Sequence, residues 1–161
     1  MKKIKLAAFA ETSAEMLVKE MNFQKIFLPS DKTEDTRILL SELSDAGFVI
    51  CFGQKPLIKN KLCVELLAKE KGEILTTDFE TETLLDEFKK NELKAMKSSS
   101  PGNSFCNAVY WNALKYIKQN KLNCKILFIH IPFEKNIDDM AVFRSKVLAS
   151  INGFLQLAWQ T

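Results

Sequence analysis

The sequence predicts an α/β protein built as a three-layer sandwich, with a mainly parallel or mixed central sheet and helices on both of its faces. Strand-like and helix-like segments alternate along the chain, as they do in βαβ units. Residues 47–52 and 125–131 are almost continuously apolar, which is typical of strands buried on both faces. A length of 161 residues fits a single domain with one sheet, so we expect the domain to span residues 1–161.

Hydrophobic spacing predicts the elements of the N-terminal half. Residues 3–9 are apolar enough for a first strand, and residues 12–21 follow with Ala14, Leu17 and Val18 on one helical face. A short strand over 25–28 ends at Pro29-Ser30, and a helix follows over 31–43. The apolar run 47–52 is the third strand, and residues 62–67 form a further short one.

The C-terminal half continues the alternation. A helix is predicted over 77–91, with Phe79, Leu84 and Phe88 facing inward. Residues 98–102, Ser-Ser-Ser-Pro-Gly, form the clearest loop of the chain. A helix over 103–120, a strand over 125–131 that Pro132 terminates, and a long helix over 138–158 complete the pattern.

The overall composition excludes several classes of protein. With 23 basic and 20 acidic residues the net charge is +3, which is too even for a nucleic-acid-binding protein. No run approaches the ~18 apolar residues of a membrane span. Four cysteines without a CxxC pair, together with one histidine, give no metal-site spacing. The expectation is a cytoplasmic protein with reduced thiols and no metal.

Cys106 is the first candidate for chemistry. It follows the Ser/Pro/Gly loop and falls in the first turn of a predicted helix. The unpaired N–H groups and the dipole at a helix start favour a thiolate and can also hold an oxyanion. A structural cysteine is the alternative, but such residues more often lie mid-element, as Cys51 and Cys124 do here.

His130 is the only histidine, so any Cys–His mechanism must use it. It lies near the end of an apolar strand, at the carboxyl edge where α/β proteins place their sites. Taken alone, a buried core histidine is the more common interpretation.

Glu65 is the candidate that would orient the imidazole. It interrupts the apolar run 62–68, and a carboxylate inside such a run requires a partner. From the run alone, an exposed position on an alternating strand is favoured instead.

Three motifs resemble those of the pyroglutamyl peptidase I (pyrrolidone-carboxylate peptidase) family of cysteine peptidases. Residues 101–107, Pro-Gly-Asn-Ser-Phe-Cys-Asn, resemble the family's nucleophile motif Ala-Gly-x-x-x-Cys-Asn. Residues 128–132, Phe-Ile-His-Ile-Pro, resemble its histidine motif Phe-Ile-His-Val-Pro, and the 24-residue separation of Cys106 and His130 is similar to the family spacing. Gly53-Gln54 followed by Glu65-Leu66-Leu67-Ala68 resembles the Gly-Gln and Glu-Arg-Val-Ala segments.

The resemblance implies a cysteine peptidase that removes N-terminal pyroglutamate from peptides without a cofactor. It implies Cys106 as nucleophile, His130 as base and Glu65 as the group that orients His130. It also implies that Phe9, Gln54 and Phe105 contact the substrate, and it is compatible with a homo-oligomer.

Two alternatives remain open, because the family's Phe-Gly-Gly-rich N-terminal loop is reduced here to Phe9-Ala10-Glu11-Thr12 and Leu66 replaces its arginine. One is a relative with weak or no activity that binds a small ligand or a partner. The other is a cysteine amidase with a different acyl specificity.

Overall fold

The computed structural model describes residues 3–102 and 104–160, so Met1, Lys2, Asn103 and Thr161 lie outside the described residues. Asn103 belongs to the nucleophile motif and is the predicted first residue of its helix. The core of the fold is a six-stranded sheet with the order β2-β1-β3-β8-β4-β7. Its strands are β1 (Ile4–Phe9), β2 (Gln24–Leu28), β3 (Phe48–Lys55), β4 (Lys61–Glu65), β7 (Lys94–Ser98) and β8 (Lys125–Pro132).

The sheet is mixed. Strands β2, β1, β3 and β8 are mutually parallel, whereas β4 runs antiparallel to β8 and β7 runs parallel to β4. A separate hairpin joins β5 (Leu67–Glu70) to β6 (Glu73–Thr76). The helices are α1 (Ser13–Val18), α2 (Lys32–Ser41), α3 (Thr81–Lys90), α4 (Phe105–Asn120) and α5 (Met140–Trp159).

Each face of the sheet carries its own apolar core. Residues of α1, α3 and α5 pack on one face with Leu127, Ile129 and Ile131 of β8. Residues of α2 and α4 pack on the other face with Ile126 and Phe128. This period-two alternation confirms the predicted sandwich with helices on both faces, and we call the second face the α4 face.

Several local predictions were wrong. The helix predicted from Thr77 begins at Thr81, because Thr77 uses its hydroxyl to accept from the Phe79 N–H and to donate to the Ile126 carbonyl. The first helix, predicted over residues 12–21, spans Ser13–Val18, and Thr12 caps it by accepting from the Ala14 N–H. The hairpin β5–β6 and the edge strand β7 were not predicted at all.

No helix within the described ranges is sufficiently long and apolar to cross a membrane.

Candidate active site

The predicted catalytic residues meet on the α4 face near the carboxyl end of β8. Strand register places Gly53 of β3, His130 of β8 and Cys63 of β4 in one row across the sheet. Because side chains alternate along a strand, His130 lies on the same face as Phe128, and their ring centroids are 5.0 Å apart. This face is the one that α4 and Cys106 cover.

Cys106 is held over Gly53. It is the second residue of α4, and a Cβ atom added to Gly53 would lie only 2.8 Å from its sulfur. A side chain at position 53 would therefore displace the sulfur. Since Gly53 is the register neighbour of His130, the sheet places Cys106 and His130 at adjacent positions on one face.

Glu65 lies further than His130 from the carboxyl end of β8. Its register partner on β8 is Phe128, and it is fully buried. Its Oε1 lies 3.2 Å from His130 Nδ1, so the imidazole is oriented with Nε2 available for another group. The exposed position that the apolar run alone favoured for Glu65 is therefore wrong.

Tyr110 fixes α4 to the strand that carries Glu65. Its hydroxyl is buried and donates to the Glu65 backbone carbonyl at 2.8 Å. Tyr110 follows Cys106 by four residues, so both side chains lie on the sheet-facing side of the helix. The sequence pattern had indicated no role at this site for Tyr110, although its four-residue spacing from Cys106 was a readable signal.

The resting site holds a thiol and a carboxylate. Burial, together with the negative charge of Glu65, raises the pKa of Cys106 to about 12. The start of a helix favours a thiolate, but Cys106 is only 9% exposed, and this burial outweighs the effect of the helix. Burial would also raise the pKa of Glu65, but His130, Ser98 and Lys55 lie beside it and leave that pKa below its usual value. Ionisation of Cys106 at neutral pH consequently requires a base.

The three residues predicted to bind the substrate lie in different surroundings. Phe105 directly precedes Cys106 and is 39% exposed, so it lies at the surface beside the nucleophile. Phe9 is buried on the α4 face, 6.4 Å from the Phe128 ring centroid. Gln54 accepts at Oε1 from both the backbone N–H and the hydroxyl of Ser13, at 3.1 and 3.3 Å. Its side chain therefore faces α1 rather than Cys106, and the substrate roles of all three residues stay predictions.

A surface depression among the described residues lies away from Cys106. It has a volume of about 430 Å³ and lies between α4 and β6, lined by residues such as Leu114, Ile117 and Leu75. It is at the opposite end of α4 from Cys106.

Comparison with known proteins links this fold to one group of enzymes. No protein-family model matches the chain. The chain is 44% identical over 50 residues to pyrrolidone-carboxylate peptidase 1 of Caldanaerobacter subterraneus subsp. tengcongensis. It is 38% identical over 50 residues to a pyrrolidone-carboxylate peptidase of Thermoanaerobacter sp.. Each alignment covers 31% of this chain and only 25% of the relative.

Solved structures match over nearly the whole chain. Pyrrolidone carboxyl peptidase from Thermococcus litoralis superposes with a TM-score of 0.81 over 99% of this chain and 96% of its own, at 16% identity. Pyroglutamyl peptidase I from Bacillus amyloliquefaciens gives a TM-score of 0.83 over 96% and 95%, also at 16% identity. At such identities these structures establish a shared fold. Together with the sequence matches they confirm the predicted resemblance.

Proposed function

We propose that this chain is a cysteine peptidase that releases pyroglutamate from the N-terminus of peptides. One observation carries the proposal: Cys106 lies over Gly53, whose neighbour in the sheet is His130, and His130 Nδ1 lies 3.2 Å from a buried Glu65 oxygen. This arrangement supports roles for Cys106 as nucleophile, His130 as base and Glu65 as the group that orients the base. The named relatives support the choice of pyroglutamyl peptides as substrates.

The first step forms an acyl-enzyme. His130 Nε2 takes the thiol proton as the Cys106 sulfur attacks the carbonyl carbon that joins pyroglutamate to the next residue. Glu65 stabilises the imidazolium that results. The proton then passes from His130 to the leaving amine as the C–N bond breaks.

The second step consumes water. His130 removes a proton from a water molecule, which attacks the thioester and releases pyroglutamate and the free thiol. In both steps the first N–H groups of α4, which have no acceptor within the helix, are placed to bind the oxyanion. Each such donor contributes on the order of 3 kcal/mol in other enzymes.

Hydrolysis of a chromogenic pyroglutamyl amide tests the proposal. We expect Cys106→Ala to lower kcat by at least about 10³-fold, because the reaction loses its nucleophile. Cys63→Ala is the matched control: Cys63 is a buried thiol in the same row as His130 but has no assigned role, and its removal should leave most of the activity. Turnover by the unsubstituted enzyme no faster than that of Cys106→Ala would contradict the proposal.

A second candidate, a ligand-binding relative without catalysis, is favoured by the burial of Cys106 and its raised pKa. Alkylation by iodoacetamide at pH 7 separates the two. If His130 activates Cys106, this thiol should react faster than Cys51, Cys63 and Cys124, and His130→Ala should abolish the difference. Equal rates at all four thiols would favour the binding function.

The acyl specificity, the cellular location and the oligomeric state are the remaining parts of the proposal. A panel of acyl amides would identify a preference for another acyl group, which the shortened loop at Phe9 leaves open. The four free cysteines support a cytoplasmic setting. A homo-oligomer stays a prediction, for which Leu157 and Trp159 of α5 offer exposed apolar surface.

A further inference from the structure

We propose that Lys55 is a positioning residue of the active site, holding Glu65 ionised and correctly placed to orient His130. This inference rests on the proposed function. Lys55 is the last residue of β3 and lies two residues beyond Gly53. Nothing in the sequence motifs singled it out.

Lys55 and His130 share one carboxylate oxygen. The Lys55 ammonium lies 3.5 Å from Glu65 Oε1, the same atom that lies 3.2 Å from His130 Nδ1. Glu65 is fully buried, whereas the Lys55 side chain is 30% exposed. Lys55 therefore reaches from the surface to the innermost member of the site.

The charge balance explains why such a cation is required. The proposed base role requires a His130 that can accept the thiol proton and so supplies no counter-charge of its own, and the buried Glu65 carboxylate would then be unpaired without Lys55. Within the described chain, no lysine or arginine other than Lys55 lies at ion-pair distance from Glu65. Once the proton has moved, the site holds a thiolate, an imidazolium, a carboxylate and the ammonium, and the charges cancel.

Lys55 also contacts the segment that leads into the nucleophile helix. Its ammonium donates to the Ser100 carbonyl at 3.4 Å. Ser100 lies in the loop before Cys106. One side chain thus links the orienting carboxylate to the segment that delivers the nucleophile.

The test compares Lys55→Met with Lys55→Arg. Methionine keeps the apolar stem and removes the cation, whereas arginine keeps the charge. Lys59→Met is the matched control, because Lys59 lies four residues away in the connection to β4 and its ion pair with Asp138, at 3.7 Å, is exposed. We expect Lys55→Met to lower kcat on a pyroglutamyl amide about tenfold with KM little changed. Arginine should restore most of the rate, and Lys59→Met should not alter it.

A spectroscopic measurement makes the proposal independent of the substrate. His130 is the only histidine, so the downfield proton NMR signal of an imidazole N–H bonded to a carboxylate belongs to it without assignment. This signal should be retained in Lys55→Arg and Lys59→Met and lost or displaced in Lys55→Met, with urea unfolding confirming that each variant is folded. An unchanged signal in folded Lys55→Met would overturn the proposal. Absence of pyroglutamyl amide hydrolysis by the unsubstituted enzyme would instead count against the proposed function alone.

Discussion

Gly53 shows how a single atom controls the geometry of this site. A methyl group at this position would lie 2.8 Å from the Cys106 sulfur and 2.9 Å from the Phe128 ring, and both groups are packed too tightly to move freely. Gly53→Ala should therefore push the sulfur away from His130. We expect kcat to fall by at least about tenfold, since displacements on the order of 1 Å suffice for that, and stability to fall by about 1–3 kcal/mol.

Gly153→Ala provides the comparison for Gly53→Ala. There the nearest atoms are also about 2.8 Å away, but they are the carboxylate end of the Glu87 side chain, which can rotate aside. This variant should keep its kcat. Steady-state kinetics and urea unfolding of both variants give the answer, and an unaltered kcat in Gly53→Ala would show that the contact with the sulfur is not needed.

At the scale of single residues, the sequence nominated Cys106, His130 and Glu65, which lie close together in the structure, but it did not indicate their electrostatic setting. Their grouping was implied by the resemblance of their motifs to those of a peptidase family. That resemblance does not report burial, and burial is what raises the pKa of Cys106 to about 12. The hydrogen bond that the Ser13 N–H donates to Gln54 joins residues 41 positions apart, so no local sequence pattern indicates it.

At the scale of elements, Tyr110 couples α4, which carries Cys106, to β4, which carries Glu65. Tyr110→Phe removes the hydroxyl that donates to the buried Glu65 carbonyl and should cost about 1–2 kcal/mol of unfolding free energy. We also expect kcat to fall severalfold, because α4 loses a fixed distance to β4. Tyr116→Phe, in the same helix, removes a hydroxyl for which the described residues provide no hydrogen bond, and it should change neither quantity. Equal stability of the two variants would contradict this role.

Elements also differ in how readily the sequence predicts them. The strands β1, β3 and β8 are apolar on both faces, so their runs are unmistakable. Strand β7 lies at the sheet edge and leaves Lys94, Met96 and Lys97 exposed, which gives no clean alternation. The β5–β6 hairpin turns at Lys71-Gly72, both with positive φ, and Gly72 is its local sequence signal.

For the whole molecule, buried thiols make stability depend on alkaline pH. Burial raises the pKa of Cys106 and Cys124 to about 12 and that of Cys51 further. In the unfolded chain a thiol ionises near ~8.5. Below that pH the thiols are protonated in both the folded and the unfolded chain, so their ionisation does not lower the free energy of unfolding. As pH rises toward 12, only the unfolded chain releases protons, so stability falls.

This loss should amount to about 2 kcal/mol per thiol at pH ~10. Urea unfolding at pH 8 and pH 10 measures it. A variant carrying both Cys51→Ala and Cys124→Ala retains the other ionising groups and should lose correspondingly less between the two pH values. Identical losses in the variant and the unsubstituted chain would show that these two thiols do not account for the effect.

The whole architecture was predictable in class and less so in topology. Alternating segments correctly predicted helices on both faces of one sheet, and the single-domain assignment over 1–161 stays a prediction. Strand direction is not encoded in hydrophobic pattern, because a strand presents the same faces whichever way it runs. The reversal of β4 against β8 is therefore a result of the structure alone.

That reversal makes the chemistry sensitive to chain length at a place distant in sequence from the Cys106 and His130 motifs. Residues 56–60 connect β3 to β4 and so help to set which side chain of β4 faces Phe128. One inserted residue that shifted the register by a single position would put Val64 where Glu65 now lies and turn Glu65 toward α5. Such a variant would retain the Cys106 and His130 motifs but would lack the Glu65 carboxylate beside His130. A search for the two motifs would therefore count an inactive protein as an enzyme.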